Sequence, residues 1–219
     1  MKSARIFMVA KLRLGCLFLL GLMLNLALNV SYAEEALNKV DNLNKVDESE
    51  MQTASAAELR TLLGTPPSYI KANFESTRYI KSAKRVFTST GLAEISQDYG
   101  ICWRMVTPRV KTFKVSSKSG GAGLMGLDFL EALIHGDTKT LDQTFTMGYQ
   151  GTAEEGVVFF RPKGELGRVI FSINAAFKHR LMTSVTAINQ DGSSTKVIFK
   201  DFNLKAPQNL TEANFCREE

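Results

Sequence analysis

From residue 68 onward, apolar and polar residues alternate in short runs. Ile70, Ala72 and Phe74 are interleaved with Lys71, Asn73 and Glu75, then Ile101, Trp103 and Met105 with Cys102 and Arg104, then Phe113 and Val115 with Thr112 and Lys114. Further along come Phe145, Met147 and Tyr149, the apolar block Val157-Val158-Phe159-Phe160, the series Val169, Phe171, Ile173, and runs over 181–188 and 196–199. A period of two marks strands with one packed face and one wet face. Turn-forming residues stand between the runs: Ser89-Thr90-Gly91, Asp98-Tyr99-Gly100, Thr107-Pro108, Gly151, Pro162-Lys163-Gly164 and Asp191-Gly192. Short strands with close turns predict an antiparallel meander.

Helical periodicity appears at two places. Ser55 followed by Glu58 is a capping-box signature, and Leu59, Leu62 and Leu63 share one side, which predicts a helix over 55–63 ended by Gly64-Thr65-Pro66-Pro67. Inside the meander, a loop of small residues over 116–123 precedes Leu124, Leu127, Leu130, Leu133 and Ile134. These lie on one helical face that Met125 and Phe129 widen. Asp137 then caps a second helix in which Leu141 and Phe145 are four apart. Helices inserted in a meander must bury their apolar stripes, and the concave face of the sheet is where they can do so. Such a sheet leaves an apolar pocket if its helices do not fill it. A filled core is the other outcome of the same pattern.

The amino end differs from everything after it. Lys2, Arg5, Lys11 and Arg13 precede an apolar run over 14–30, and Ser31-Tyr32-Ala33 follows. That order predicts a secretory signal over 1–33, cleaved after Ala33, and hence an exported, periplasmic protein. A retained anchor is the alternative, weakened by Asn25 and Asn29 within the run. Leu14-Gly15-Cys16 resembles a lipobox but precedes the apolar core, so lipidation there is not expected. A polar linker over 34–54, in which Asn38-Lys39-Val40-Asp41 recurs as Asn44-Lys45-Val46-Asp47, leads into a domain over 55–219.

Removing the leader changes the electrostatics. The chain has 27 basic and 22 acidic residues and a pI near 9.1, but four of the basic residues lie in the leader. What remains is nearly neutral, which excludes a nucleic-acid footprint. Two cysteines follow the leader, Cys102 and Cys216. They are compatible with one disulfide in an oxidising compartment, or with a buried Cys102 and a free thiol in the tail.

Several of these residues resemble a known family. Phe74-Glu75-Ser76-Thr77-Arg78-Tyr79-Ile80, Phe87-Thr88-Ser89-Thr90-Gly91, Gly100-Ile101-Cys102-Trp103 and Pro108 resemble the opening of LolA-like outer-membrane lipoprotein carriers. The resemblance runs on through Leu133-Ile134-His135-Gly136-Asp137, Leu141, Phe145, Pro162, Ile173, Asp191-Gly192-Ser193-Ser194-Thr195 and Ile198-Phe199, over nearly all of 68–204. It implies a mainly β (α+β) fold, an unclosed and strongly curved antiparallel half-barrel covered by short helices that act as a lid. It also implies a monomeric, non-enzymatic carrier whose apolar cavity takes acyl chains of lipoproteins from an inner-membrane exporter to an outer-membrane acceptor. The best-known carriers place an arginine, thought to hold the lid, directly before the strand-closing proline. Here Thr107 precedes Pro108 and the nearest arginine is Arg109, which marks a divergent branch. A chaperone for a glycolipid or pigment-lipid is therefore a second expectation. A lipid-sensing envelope-stress protein is a third, disfavoured by the short segment after Leu204.

The residues expected to line the cavity are Phe74, Trp103, Met105, Phe113, Leu127, Phe129, Leu130, Phe159, Phe171 and Phe199; each could equally be ordinary core, because alternation assigns faces only in pairs. No catalytic residue, metal or cofactor is expected. His135 and His179 read as structural or solvated, and no HExxH or GxSxG occurs. Glu154-Glu155 reads as a solvated turn. Gly121-Ala122-Gly123-Leu124-Met125-Gly126 matches GxGxxG, but the run before it alternates, unlike a buried parallel strand. If the signal is read correctly, intact-mass analysis of protein from its own cells finds a chain beginning at Glu34. A mature chain retaining residues 1–33 would show that the leader is an anchor.

Overall fold

The computed structural model describes residues 51–115 and 137–217. The leader, His135, the GxGxxG match and the helix expected over 124–134, with Leu127, Phe129 and Leu130, lie outside them. The described chain forms β1 (Gln52–Thr53), α1 (Ala56–Leu63), β2 (Tyr69–Ile80), β3 (Arg85–Ser96), β4 (Gly100–Thr107), β5 (Lys111–Val115), α2 (Thr138–Thr144), β6 (Phe145–Gly151), β7 (Glu155–Pro162), β8 (Ile170–Lys178), β9 (Leu181–Asn189) and β10 (Ser194–Asn203). The strands make one sheet in the order β1-β6-β7-β8-β9-β10-β2-β3-β4-β5, every neighbouring pair antiparallel. Two meanders are thus joined side by side through β10 and β2, and β1 and β5 stand at opposite edges. The barrel is not closed.

The register sorts the side chains into two faces. Phe160 lies opposite Met147 and Ile173, Val158 opposite Ala175, Phe199 opposite Phe74, and Ala93 between Ala72 and Trp103. All of these belong to one inner face, which is almost wholly apolar. Met147 in β6 and Ile95 in β3 wall a common cavity, although six strand spacings separate them. On a flat sheet that would be roughly 29 Å, at about 4.8 Å per strand. The sheet must therefore curl into a half-barrel. It does so because each strand gains by turning its apolar face toward the others rather than toward water.

The two described helices cover part of that inner face. Ser55 accepts from the Glu58 amide, the Glu58 carboxylate accepts from the Ser55 amide, and Gly64 (φ 77°) ends the helix. This capping box fixes α1, which buries Ala56 and Leu59. Asp137 caps α2 through the Thr140 amide. The Ala56 amide donates to Asp142 Oδ1 at 2.9 Å, tying the start of α1 to α2. Leu141 and Phe145 are both buried as a helix-like spacing of four requires, yet Phe145 is already the first residue of β6.

Three local readings are corrected. Ser89-Thr90-Gly91 is not a turn but lies within β3, and the chain reverses at 81–84 instead. Gly91 sits at a bulge where an added Cβ would be 1.9 Å from the Arg104 carbonyl oxygen, so glycine serves close approach between strands rather than reversal. Gln52 and Thr53, within the stretch read as linker, pair with Tyr149 and Gly148. Val169 and Phe171 do not share a face with Ile173. A bulge between Ile170 and Ser172 shifts the register, so Ile170 and Ile173 are buried while Val169 and Phe171 are exposed.

The outer face carries polar residues, and over β3 and β4 the carboxyl-terminal segment buries them. Cys102 and Cys216 are joined by a disulfide with a Cα separation of 5.5 Å. Around it, Glu94 accepts from the Tyr69 hydroxyl (2.9 Å) and the Cys216 amide (3.3 Å), and Arg104 Nη2 donates to the Cys216 carbonyl (3.1 Å). Phe215 is buried against Tyr99, with Lys114 Nζ over its ring. The Tyr99 hydroxyl and Lys114 Nζ donate to the carbonyls of Leu210 and Glu212. The bridge spans a sequence separation of 114 residues. In the chain-entropy account a loop of that size stabilises by about 4–5 kcal/mol. Reduction, or Cys216→Ser, accordingly lowers the melting temperature by on the order of 10 °C. An unchanged melting temperature with both thiols freely alkylated would refute this.

Candidate functional site

Between the helices and the inner face lies an apolar cavity of about 100 Å³. Its roof is Ala56, Leu59 and Leu63 from α1 with Leu141 and Thr138 from α2. Its floor is Met147, Val158, Phe160, Phe177 and Met182, and Ile70 and Ile95 close the far side. The mouth is formed by Arg60, the Gly64–Pro67 bend and Arg180. Each wall follows from a local rule already described: α1 presents Leu59 and Leu63 because they are four apart, and β7 presents Val158 and Phe160 because they are two apart. A second cavity of about 30 Å³ shares Ile70, Ile95 and Met182 with the first and extends to Phe199 and Phe202. Beyond it Phe74 stacks on Trp103 (centroids 4.1 Å apart), and Trp103 meets Phe199 edge-on at 5.9 Å. Met182 and Val185 pack against both this aromatic cluster and the larger core under the helices. The inner face is therefore one apolar track with two gaps in it.

The positions expected from sequence are scattered, some on that track and some off it. Phe74, Trp103, Met105 and Phe199 lie together on the inner face, at the end away from the helices. Phe113 is opposite Trp103 on β5, beneath Lys111 Nζ at 4.5 Å. Phe159 is buried but faces oppositely to Val158 and Phe160, being paired with Gly148 and Asn174. Phe171 is 48% exposed and stacks beneath the Arg161 guanidinium at 4.4 Å. Leu127, Phe129 and Leu130 lie outside the described residues. Met147, Val158, Phe160, Phe177, Met182, Leu59, Leu63 and Leu141 were not singled out as lining. Four consecutive apolar residues over 157–160 carry no parity, and only the pairing of Phe160 with Met147 settles which side Phe160 takes.

The cavity's chemistry is that of an apolar container. Among the described residues no three His, Cys, Asp or Glu side chains are placed to hold a metal ion. His179 is exposed in the β8–β9 turn, 3.2 Å from Glu154, and Glu155 pairs with Lys178 at 3.4 Å. The helix caps carry the site's carboxylate electrostatics. The backbone and then the side chain of Ser55 hold Glu58 below the usual carboxylate range, and the hydroxyl and then the amide of Thr140 do the same for Asp137. Groups depressed in this way stabilise the helices at neutral pH, and that contribution is lost as pH falls through their lowered values.

Among the described residues no helix is long and apolar enough to cross a membrane. No family model and no curated protein matches the sequence. Solved structures to which the chain is similar include a LolA superfamily protein from Nitrosomonas europaea, at 7% identity and a TM-score of 0.40, covering 75% of this chain and 98% of that one. They also include a DUF1329 family protein from Desulfovibrio piger, at 11% identity and a TM-score of 0.30, covering 73% of this chain and 93% of that one.

An apolar cavity of this kind stays dry and admits small apolar guests. Under xenon pressure the methyl resonances of Met147 and Met182 therefore shift, while that of Met105, which borders neither cavity, stays in place. Equal responses at all three methionines would mean that the cavity is filled.

Proposed function

We propose that the chain is a periplasmic carrier that binds the acyl chains of lipoproteins or related lipids on the inner face of its half-barrel and moves them from the inner to the outer membrane. The observation that supports this reading is the apolar track, with the larger cavity at the helices and the smaller one leading toward Phe199. Its walls are aliphatic, aromatic and methionine side chains, which suit a flexible hydrocarbon with no polar pattern of its own.

Magnitudes decide what the cavity can take. A void of about 150 Å³ holds a benzene molecule, so a gap of about 100 Å³ receives only the first few methylenes of a chain. Taking a whole chain means lifting α1 and α2 from the sheet. That exposes Leu59 and Leu141, at about 1.5–3 kcal/mol each. Each methylene buried returns about 0.8 kcal/mol, so roughly four to eight methylenes offset the displacement and longer chains bind with net gain. The Ala56–Asp142 contact joins the helices to each other, while the Lys163 amide and Nζ, donating to the Thr144 and Asp142 carbonyls at 2.8 Å, tie the end of α2 to the segment after β7 and must be released.

Thr107 supports a second reading in which the cargo is a glycolipid or pigment-lipid. Its hydroxyl is 2.7 Å from that of Thr90, a contact within the sheet, so this position does not latch the helices. The lining is extended in this proposal to Leu127, Phe129 and Leu130. The test is binding of fluorescent acyl probes to delipidated protein. Affinity rises with chain length and is lost below about six carbons, following the methylene arithmetic. Leu63→Glu, at a half-buried wall position, and Phe129→Glu each weaken a long-chain probe at least tenfold by placing a charge in an apolar site. Chain-length-independent affinity, or unchanged affinity in folded variants, would defeat the proposal.

A further inference from the structure

The two cavities of the track meet at a neck. Ile70, Ile95 and Met182 line both of them. Ile70 and Ile95 are paired across β2 and β3 and are β-branched, so one side of the neck is stiff. Met182, on β9, forms the other side. It is unbranched, with three rotatable bonds, and it packs against both the core under the helices and the aromatic cluster around Phe199.

Bulges put this region's side chains on the inner face. Val185 lies opposite Ala175 on that face, so strict alternation along β9 would turn Thr183 inward and Met182 outward. Instead Ala176 pairs with Ser184 and Phe177 with Met182. Thr183 is left as the extra residue, its hydroxyl donating to the Ala176 carbonyl at 3.3 Å. The same device recurs on β10. Phe199 faces inward and alternation would send Phe202 outward, but the register shifts between Lys200 and Asn203, with Asp201 in the left-handed region (φ 54°). Phe202 thereby joins Phe199 on the wall of the second cavity. The neck and the far chamber are both set by bulges, which are built features of a sheet rather than accidents of packing.

We infer that Met182 is a movable partition: an acyl chain entering from the mouth displaces it and lays its methyl end in the second cavity, beside Phe199. The inference rests on the acyl-binding reading and deepens it, giving the chain a direction and a gate that selects for length. Direction follows from the walls. The mouth has the exposed Arg180 and the Gly64–Pro67 bend, where a polar chain end stays in water, whereas every described side chain lining the second cavity is apolar. Selection follows from the neck. A chain too short to reach Met182 leaves it in place, and a longer one buries its further methylenes only by passing it.

Trp103 is the chain's single tryptophan and meets Phe199 edge-on at 5.9 Å, so its fluorescence reads the far chamber. The experiment adds two isomeric palmitates to the delipidated protein, one brominated at the terminal carbon and one at the carbon beside the carboxylate. Bromine quenches a nearby indole, and binding of each isomer is measured by displacement of a fluorescent acyl probe. At equal occupancy the terminally brominated isomer quenches Trp103 several times more strongly. In Met182→Phe, whose rigid ring blocks the neck, that difference disappears. Palmitate there weakens about tenfold, to the affinity of decanoate, which is itself unchanged. Met182→Ala, which leaves the neck open, keeps both the terminal quenching and the preference for palmitate. Folding of each variant is checked by its melting temperature. Equal quenching by the two isomers on the unaltered protein, or stronger quenching by the one brominated beside the carboxylate, overturns the direction and the gate and leaves acyl binding standing. Terminal quenching that persists in folded Met182→Phe, or is lost in folded Met182→Ala, overturns Met182 as the partition. Failure of both isomers to bind overturns the acyl-binding reading itself.

Discussion

A sheet whose inner face is apolar over most of its strands cannot lie flat in water, and much of the molecule follows from that. Flat, it would expose Val158, Phe160, Ile173, Phe74 and Ala93 at once. Curled, it brings β6 and β7 within reach of β2 and β3, and the enclosed volume is then too wide for side chains from two sides to fill. The helices close part of the difference and the cavities are the remainder. The container is thus a geometrical residue of burying a wide sheet against itself, with methionine and leucine at its yielding places.

The outer face obeys an opposite rule. Glu94, Ser96 and Arg104 are polar, as the wet side of a meander should be, and yet Glu94 and Ser96 are buried. They are tolerated because the segment ending at Cys216 supplies a disulfide, backbone donors and acceptors, and Phe215 to cover them. One wall of the half-barrel is therefore braced from outside, leaving the inner surface free of the constraint. Among the described residues the helix side is held by hydrogen bonds from Lys163 and Ala54 rather than by a covalent link, and stiffness is distributed unevenly around the opening.

Much of this was legible in the alternation itself. The meander, the capping box of Ser55 and Glu58 and the Asp137 cap could be read because each depends on residues a few positions apart. The half-barrel came from the resemblance over 68–204. β3 was not legible. Its inner positions Ser89, Gly91 and Ala93 are too small to mark a face, and Gly91 mimics a turn while serving a bulge. The cavity walls were partly hidden for the same reason. Phe171 and Phe159 have the composition of lining residues, but the bulge at Ile170–Ser172 and the pairing of Phe159 with Gly148 turn them elsewhere. Parity along a strand is fixed by its neighbour, and the neighbour's register is not written within the strand.

The tail bridge also imposes an order of events. Cys102 belongs to β4, but its partner is synthesised only after all ten strands. Until Cys216 arrives, Glu94 and Arg104 face water and the far wall stands unfastened. A chain cut short before that residue would keep every strand and every lining side chain, yet lack its fastening. The bond thus works as a final fastening: only a chain that has been made as far as Cys216, and held where thiols can be oxidised, is sealed.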